Sequence, residues 1–302
     1  QQAVALGEEL WDAGELDPRA YFGCRGNQAV LLRDLFDYAA AEKLLLETLR
    51  QQRALRQDKR ELSKTLGNLG ELWTFTGELE RAEQALSEAL AALRSVYPDE
   101  VPRELCYLGN LHLRRCDPAQ ARACFEEGLV ANQQVTYGRE RNEAFLRYGL
   151  AQAHLAAERP VSAVRQADRA LSRLEPTQVH PRQFILKVRG LARLALGEEE
   201  QGRADLLEAA DLTYVEGPLA RLGVSTALAA LALHLIEQRD HPEATRTARR
   251  FIAQAGPLLD PMGRAGGEPD LRARLEQILD AEPGAEAALE HLLGFVLEQF
   301  PY

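Results

Sequence analysis

Six pairs of small residues, each pair twelve positions apart, recur along this chain in fixed phase. The first members are Ala29, Gly70, Gly109, Ala151, Gly190 and Ala232; the second are Ala41, Ala82, Ala121, Ala163, Gly202 and Ala244. Successive second members lie 41, 39, 42, 39 and 42 residues apart. A period of this length means that each repeat is one supersecondary unit, stacked on the next. Leu66–Leu90 shows the unit most clearly. Leu66, Leu69, Gly70 and Trp73 fall at helical spacing, Gly77 breaks the pattern, and Ala82, Leu86 and Ala89 resume it. Small residues at Gly70 and Ala82 let two antiparallel helices approach, with Trp73 filling the gap. One such helix pair cannot bury its apolar face alone, so it needs neighbours.

The slots of this pattern resemble those of the tetratricopeptide repeat family. In the second repeat they hold Leu66, Leu69-Gly70, Trp73, Gly77, Ala82, Leu86 and Ala89. In the third they hold Leu108-Gly109, His112, Cys116, Ala121, Phe125 and Gly128. The fifth has Gly190, Gly197, Gly202, Leu206 and Ala209, while the fourth and sixth place His154 and Leu235 at the aromatic slot. The period exceeds the family's basic length, and is similar to that of kinesin light chains, polarity adaptors and the sensor arrays of bacterial signalling ATPases and transcriptional activators. The resemblance implies an all-α fold, a right-handed superhelix (α-solenoid) of about six helix pairs with flanking or capping helices. It is specific for fold and weak for function.

The expected organisation follows the repeats. Residues 1–13 read as the second helix of a truncated preceding repeat, which suggests a fragment of a longer protein. Gly14–Gly26 reads as a connector. Residues 27–254 hold the six repeats. Gly256–Pro269, rich in Gly and Pro, reads as a loop. Residues 270–302 read as a C-terminal capping pair, with Leu271, Leu275, Ile278 and Leu279 on one stripe and Leu289, Leu292, Leu293, Val296 and Leu297 on the other.

In the family the first helix of each repeat lines a concave groove, so the resemblance implies a partner-binding set there. Asn27 and Asn68 occupy the slot two before the small residue, where an Asn can clamp a peptide backbone by donating and accepting at once. Tyr107 holds the same slot in the third repeat. In the same register lie Arg33, Lys64, Glu71 and Phe75, then Arg103, Asn110 and Arg114, then Tyr148 and Gln152. The later repeats offer an apolar set: Phe184, Leu191, Leu194, Leu233 and Ile236. A groove polar at one end and apolar at the other suits an extended or amphipathic peptide. The alternative is a small inducer bound at the apolar end.

Composition narrows the functional classes. The net charge of −10 argues against direct nucleic-acid binding, which needs a basic footprint. Cys24, Cys106, Cys116 and Cys124 form no C-x-x-C pair and read as free thiols of a reducing cytoplasm. No apolar run approaches about 18 residues, so no membrane span is expected. His112 and His154 share a packing slot, and no histidine pair has the spacing of a zinc site. There is no phosphate-loop pattern, and Gly263–Gly267 lacks its lysine. No nucleophile elbow occurs. The acidic runs GELERAEQ and GEEEQGRAD read as solvated helix faces. The expectation is a non-catalytic interaction module with no metal or cofactor. Its partner is a protein or extended peptide. Self-association through Leu6 and Leu10 is a third, weaker reading.

Overall fold

The computed structural model describes residues 11, 13–175, 179–212, 218–266, 270–280 and 286–299. In chain order the helices are α1 (Pro18–Asp34), α2 (Tyr38–Ala54), α3 (Lys59–Thr76), α4 (Leu79–Leu93), α5 (Val101–Arg114), α6 (Pro118–Ala131) and α7 (Arg139–Ala156). They continue as α8 (Pro160–Leu171), α9 (Val179–Ala195), α10 (Glu199–Asp211), α11 (Pro218–Glu237), α12 (His241–Gly266), α13 (Leu271–Asp280) and α14 (Glu286–Gln299). The chain divides into two compact units, Gln1–Gly149 and Leu150–Tyr302.

Aspartates set several helix starts. Asp17, Asp37, Asp58 and Asp117 accept backbone N–H bonds from the first turns of α1, α2, α3 and α6. Pro18 and Pro118 follow two of these caps, where a missing N–H costs nothing. The turn inside each repeat is built the same way six times. Phe36, Gly77, Cys116, Glu158, Gly197 and Arg239 all have positive φ, between 55° and 83°. The next residue's N–H then bonds a carbonyl five positions back, as Asp37 does to Leu32, Glu78 to Trp73 and Asp117 to His112. Arg159, Glu198 and Asp240 repeat the bond to His154, Arg193 and Leu235. This is the left-handed helix stop that satisfies otherwise orphaned carbonyls. His112 and His154 thus hold a fixed backbone slot at the end of each first helix.

The small-residue pairs lie at the closest helix contacts. Ala29, Ala41, Ala82, Ala121, Ala151, Ala163, Ala232 and Ala244 are all buried. At Gly190 a methyl group would meet the Gly202 carbonyl at 2.9 Å, so these two backbones touch. In the first unit each helix packs on the next from α1 to α6, and the first helices also pack on one another, α1 on α3 and α3 on α5. In the second unit the order runs from α8 to α13, with α9 also on α11 and α14 on α11 and α13.

Two expected boundaries move. The Gly14–Gly26 connector holds only for residues before Pro18, because Asp17 and Pro18 nucleate α1 nine residues earlier than the repeat register implied. The Gly256–Pro269 loop is instead the continuation of α12 to Gly266, whose apolar face buries Phe251, Ala255, Leu258 and Leu259. Helix therefore continues on both sides of residues 27–254. Most of the helix expected over residues 1–13 lies outside the described residues. Trp11 is described, and its ring stacks on Tyr21 at 4.3 Å. On α13 and α14, Leu271, Leu275, Leu279, Leu289, Leu292, Leu293 and Val296 are buried, while Ile278 and Leu297 of the same stripes are half-buried.

Candidate functional site

In the first unit α1, α3 and α5 lie side by side and bring much of the polar set together. Arg33 on α1 donates to Glu71 on α3, and its Nη2 donates to Asp34 at 2.9 Å. The same guanidinium stands over the Phe75 ring, 5.4 Å from its centre, a favourable cation–π placement. Burial opposes the Arg33 charge, but Glu71 and Asp34 outweigh it and push the pKa up. Tyr38 is pushed to about 12, by burial against the pull of Arg33. Tyr107 on α5 lies near Glu71; burial, then Glu71, pushes its phenol upward. The result is a line of charge and ring across three successive first helices.

About two turns before Glu71 on α3, Lys64 donates to Glu61 at 2.9 Å and stays two-fifths exposed. Arg103 donates twice to Glu104 Oε1, at 3.0 Å and 2.7 Å, and pairs with Glu100 at 3.2 Å. Burial opposes its charge, and Glu104 leads the groups that raise its pKa. Asn110 and Arg114 are half-buried on the same helix, with Arg114 close enough to bear on Tyr38.

The two asparagines are not equivalent. Asn27 is exposed on α1. Asn68 is packed beside Gly26, where a methyl group would stand 3.5 Å from its Nδ2. Tyr148 is half-buried on α7, and Gln152, further along that helix, is buried.

The apolar set of the second unit is mostly packing. Leu194 covers Gly202, where a methyl group would stand 2.7 Å from it. Phe184 and Ile236 are buried, while Leu191 and Leu233 remain half-buried. An open cleft of about 510 Å³ lies instead between α12 and α13, lined by Arg249, Ile252, Gly256, Arg272, Glu276 and Leu279 among others.

Residue pattern missed several buried polar groups. Asp205, in a run expected to be solvated, is buried and clamped by Arg189 at 2.7 Å and 2.9 Å and by Arg193 at 2.8 Å. Glu199 of the same run meets His234 at 2.5 Å. Glu42 accepts from Trp73 Nε1 at 2.8 Å and pairs with Arg81, which stacks over the Trp73 ring at 4.1 Å. Lys187 is buried on α9; its Nζ reaches Thr226 Oγ1 at 3.4 Å, and burial lowers its pKa to about 8. The i,i+3 and i,i+4 spacing of charges hides these contacts, because each partner comes from another helix.

No helix among the described residues is long and apolar enough to cross a membrane. No protein-family model and no curated protein matches the sequence. Solved structures do resemble it. BtubC (BKLC) from P. vanneervenii matches with a TM-score of 0.55 and 16% identity, covering 75% of this chain and 91% of that one. The apo form of RapI matches with a TM-score of 0.51 and 12% identity, covering 91% of this chain and 86% of that one. Sixfold turns, small-residue contacts and these neighbours agree: the chain has the all-α helical-repeat fold of the tetratricopeptide-repeat proteins.

Proposed function

We propose that this chain is a non-catalytic module that binds a protein or an extended peptide on the α1–α3–α5 face of its first unit. The observation that carries the reading is the line from Arg33 through Glu71 to Tyr107, with Phe75 beneath it. It sets charged, aromatic and amide groups on neighbouring helices at a repeat's spacing, the pattern an extended segment can follow. Much of the charge there is already paired, so a partner meets a preorganised surface and little side-chain entropy is lost on binding. We place the chain as the sensor or scaffold part of a larger bacterial, cytoplasmic protein, with flexing of the repeats relayed to an attached domain.

The test is affinity capture from source-cell lysate with the chain as bait, with mass spectrometry of bound proteins and released small molecules. A protein retained by the wild type and lost on Asn68→Ala with Asn110→Ala supports the reading. A protein retained equally by both sinks it. The second reading, a small-molecule sensor, is favoured by the α12–α13 cleft, whose volume lies in the range of ligand sites. A released metabolite, lost on Leu279→Arg and not on the asparagine changes, would move the site there.

A further inference from the structure

Glu104 is buried in the seam between α5 and α3, and its two oxygens have different surroundings. Oε1 accepts both bonds from Arg103. Oε2 is buried and has no hydrogen-bond partner among the described residues. The carboxyl lies flat against Gly67 of α3, where a methyl group would stand 2.7 Å from Oε2 and 2.9 Å from Oε1. The missing side chain of Gly67 is therefore the space that the carboxyl fills. An ionised carboxylate with one oxygen buried and unpartnered is unfavourable, because burial removes its solvation and no protein donor replaces it.

The neighbouring helices do not supply the missing donor. From α5 and the turn before it come Arg103, Glu100, Cys106 and Tyr107. Glu100 is itself held by Arg60 at 2.7 Å. Burial keeps Cys106 a thiol, with its pKa near 12, and raises Tyr107 further. From α3 comes Glu71, another anion. The charged Glu88 and Arg94 at and beyond α4 pair with Arg53 and Glu127 at the surface, and Arg122 on α6 pairs with Glu126 along its own helix. Two acids and one arginine thus bear on Glu104, and the local balance favours a proton.

We propose that Glu104 is a proton-operated latch in the α3–α5 seam: protonated, it packs neutral against Gly67 and loosens its charge hold on Arg103; ionised, it ties Arg103 down and weakens the seam. Because Arg103 stands on the face proposed to meet a partner, a partner group that pairs with Arg103 is linked to proton uptake at Glu104. The latch does not depend on that reading, and its test needs no partner.

Burial pushes the Glu104 carboxyl up to about 7, with Arg103 pulling against it. The folded state then holds a proton that the opened seam gives up, so opening becomes easier as pH rises from the ordinary carboxylate range to about 7 and levels off above it. The experiment is a carbon-13 titration of the Glu104 carboxyl in the full chain, assigned through bonds, together with amide hydrogen exchange at pH 5 and pH 7.5. After correction for intrinsic exchange, the α3 and α5 amides are expected to open at least about tenfold more at the higher pH, and Glu104→Gln should remove that difference. A Glu104 midpoint in the ordinary carboxylate range, or the same pH dependence in Glu104→Gln, overturns the latch. Should Glu104→Gln fail to fold, the wild-type titration alone decides.

Discussion

Gly109 on α5 and Gly149 on α7 close on the same aromatic ring. A methyl group at Gly109 would stand 2.4 Å from Cε1 of Phe125, and one at Gly149 would stand 2.3 Å from the same atom. Phe125 is fully buried between them, so it cannot move away from either. Alanine at position 109 would gain about 1 kcal/mol of helix propensity and incur overpacking of about 1–3 kcal/mol. Gly109→Ala is therefore expected to destabilise the first unit by up to about 2 kcal/mol in urea unfolding. Adding Phe125→Leu should recover part of the loss, since the two sites share one contact. Additive effects would show that the ring is not the obstacle.

Arg33 and Glu71 form a pair whose side chains are 13% and 21% exposed. Each loses more by removal of its partner than the pair loses together, because a lone charge is left in a poorly solvated place. Arg33→Ala and Glu71→Ala should each lower stability by about 2 kcal/mol, and the double variant by clearly less than the sum. A double-mutant cycle by chemical denaturation reads this. Strict additivity would mean that the pair is solvated and contributes nothing.

Lys187 gives the second unit a pH dependence opposite in sign to that of Glu104. Burial lowers its pKa to about 8, from 10.5 in the unfolded chain. Below pH 8 both states carry the proton, and the fold bears the full cost of a buried ammonium. Between about 8 and 10.5 the folded state has released the proton while the unfolded chain keeps it, so stability rises with pH across that window. Lys187→Met should stabilise the chain by about 1–3 kcal/mol at pH 7 and abolish the rise, read as Tm against pH. A variant less stable than the wild type at pH 7 would show that Thr226 and the Phe184 ring, 5.7 Å from Nζ, compensate the buried ammonium.

Cys116 holds the left-handed turn position, with φ of 56°, that Gly77 and Gly197 hold in other repeats. It is exposed, so its side chain contributes little packing. Cys116→Gly should stabilise by about 0.5–1 kcal/mol, because the steric cost of φ above zero exceeds the entropy lost by glycine. The same change at Leu113, one turn earlier and inside α5, should destabilise. Thermal unfolding under reducing conditions compares the two.

The repeat was legible in the sequence because it rests on sterics that act at a fixed place. Only Gly or Ala permits the approach of paired helices, so the pairs from Ala29 and Ala41 to Ala232 and Ala244 mark every repeat. The turns were less legible. Six have one geometry, yet only Gly77 and Gly197 announce it, since Phe36, Cys116, Glu158 and Arg239 accept the strain that glycine would avoid. The helix starting at Pro18 and the length of α12 also escaped the pattern. In the first, a local Asp-Pro cap outweighs repeat register; in the second, a continuous apolar face outweighs Gly and Pro.

The candidate site divides in the same way. Sequence register alone placed Arg33, Glu71, Phe75, Arg103 and Tyr107 on one series of first helices. It could not show that Arg33 bonds Glu71, that Glu104 lies on Gly67, or that Asp205 is buried between two arginines. Periodicity reports which face of its own helix a residue occupies. The charge state and burial of a side chain depend on the atoms that a different helix brings within a few ångströms, and only the packed structure supplies those.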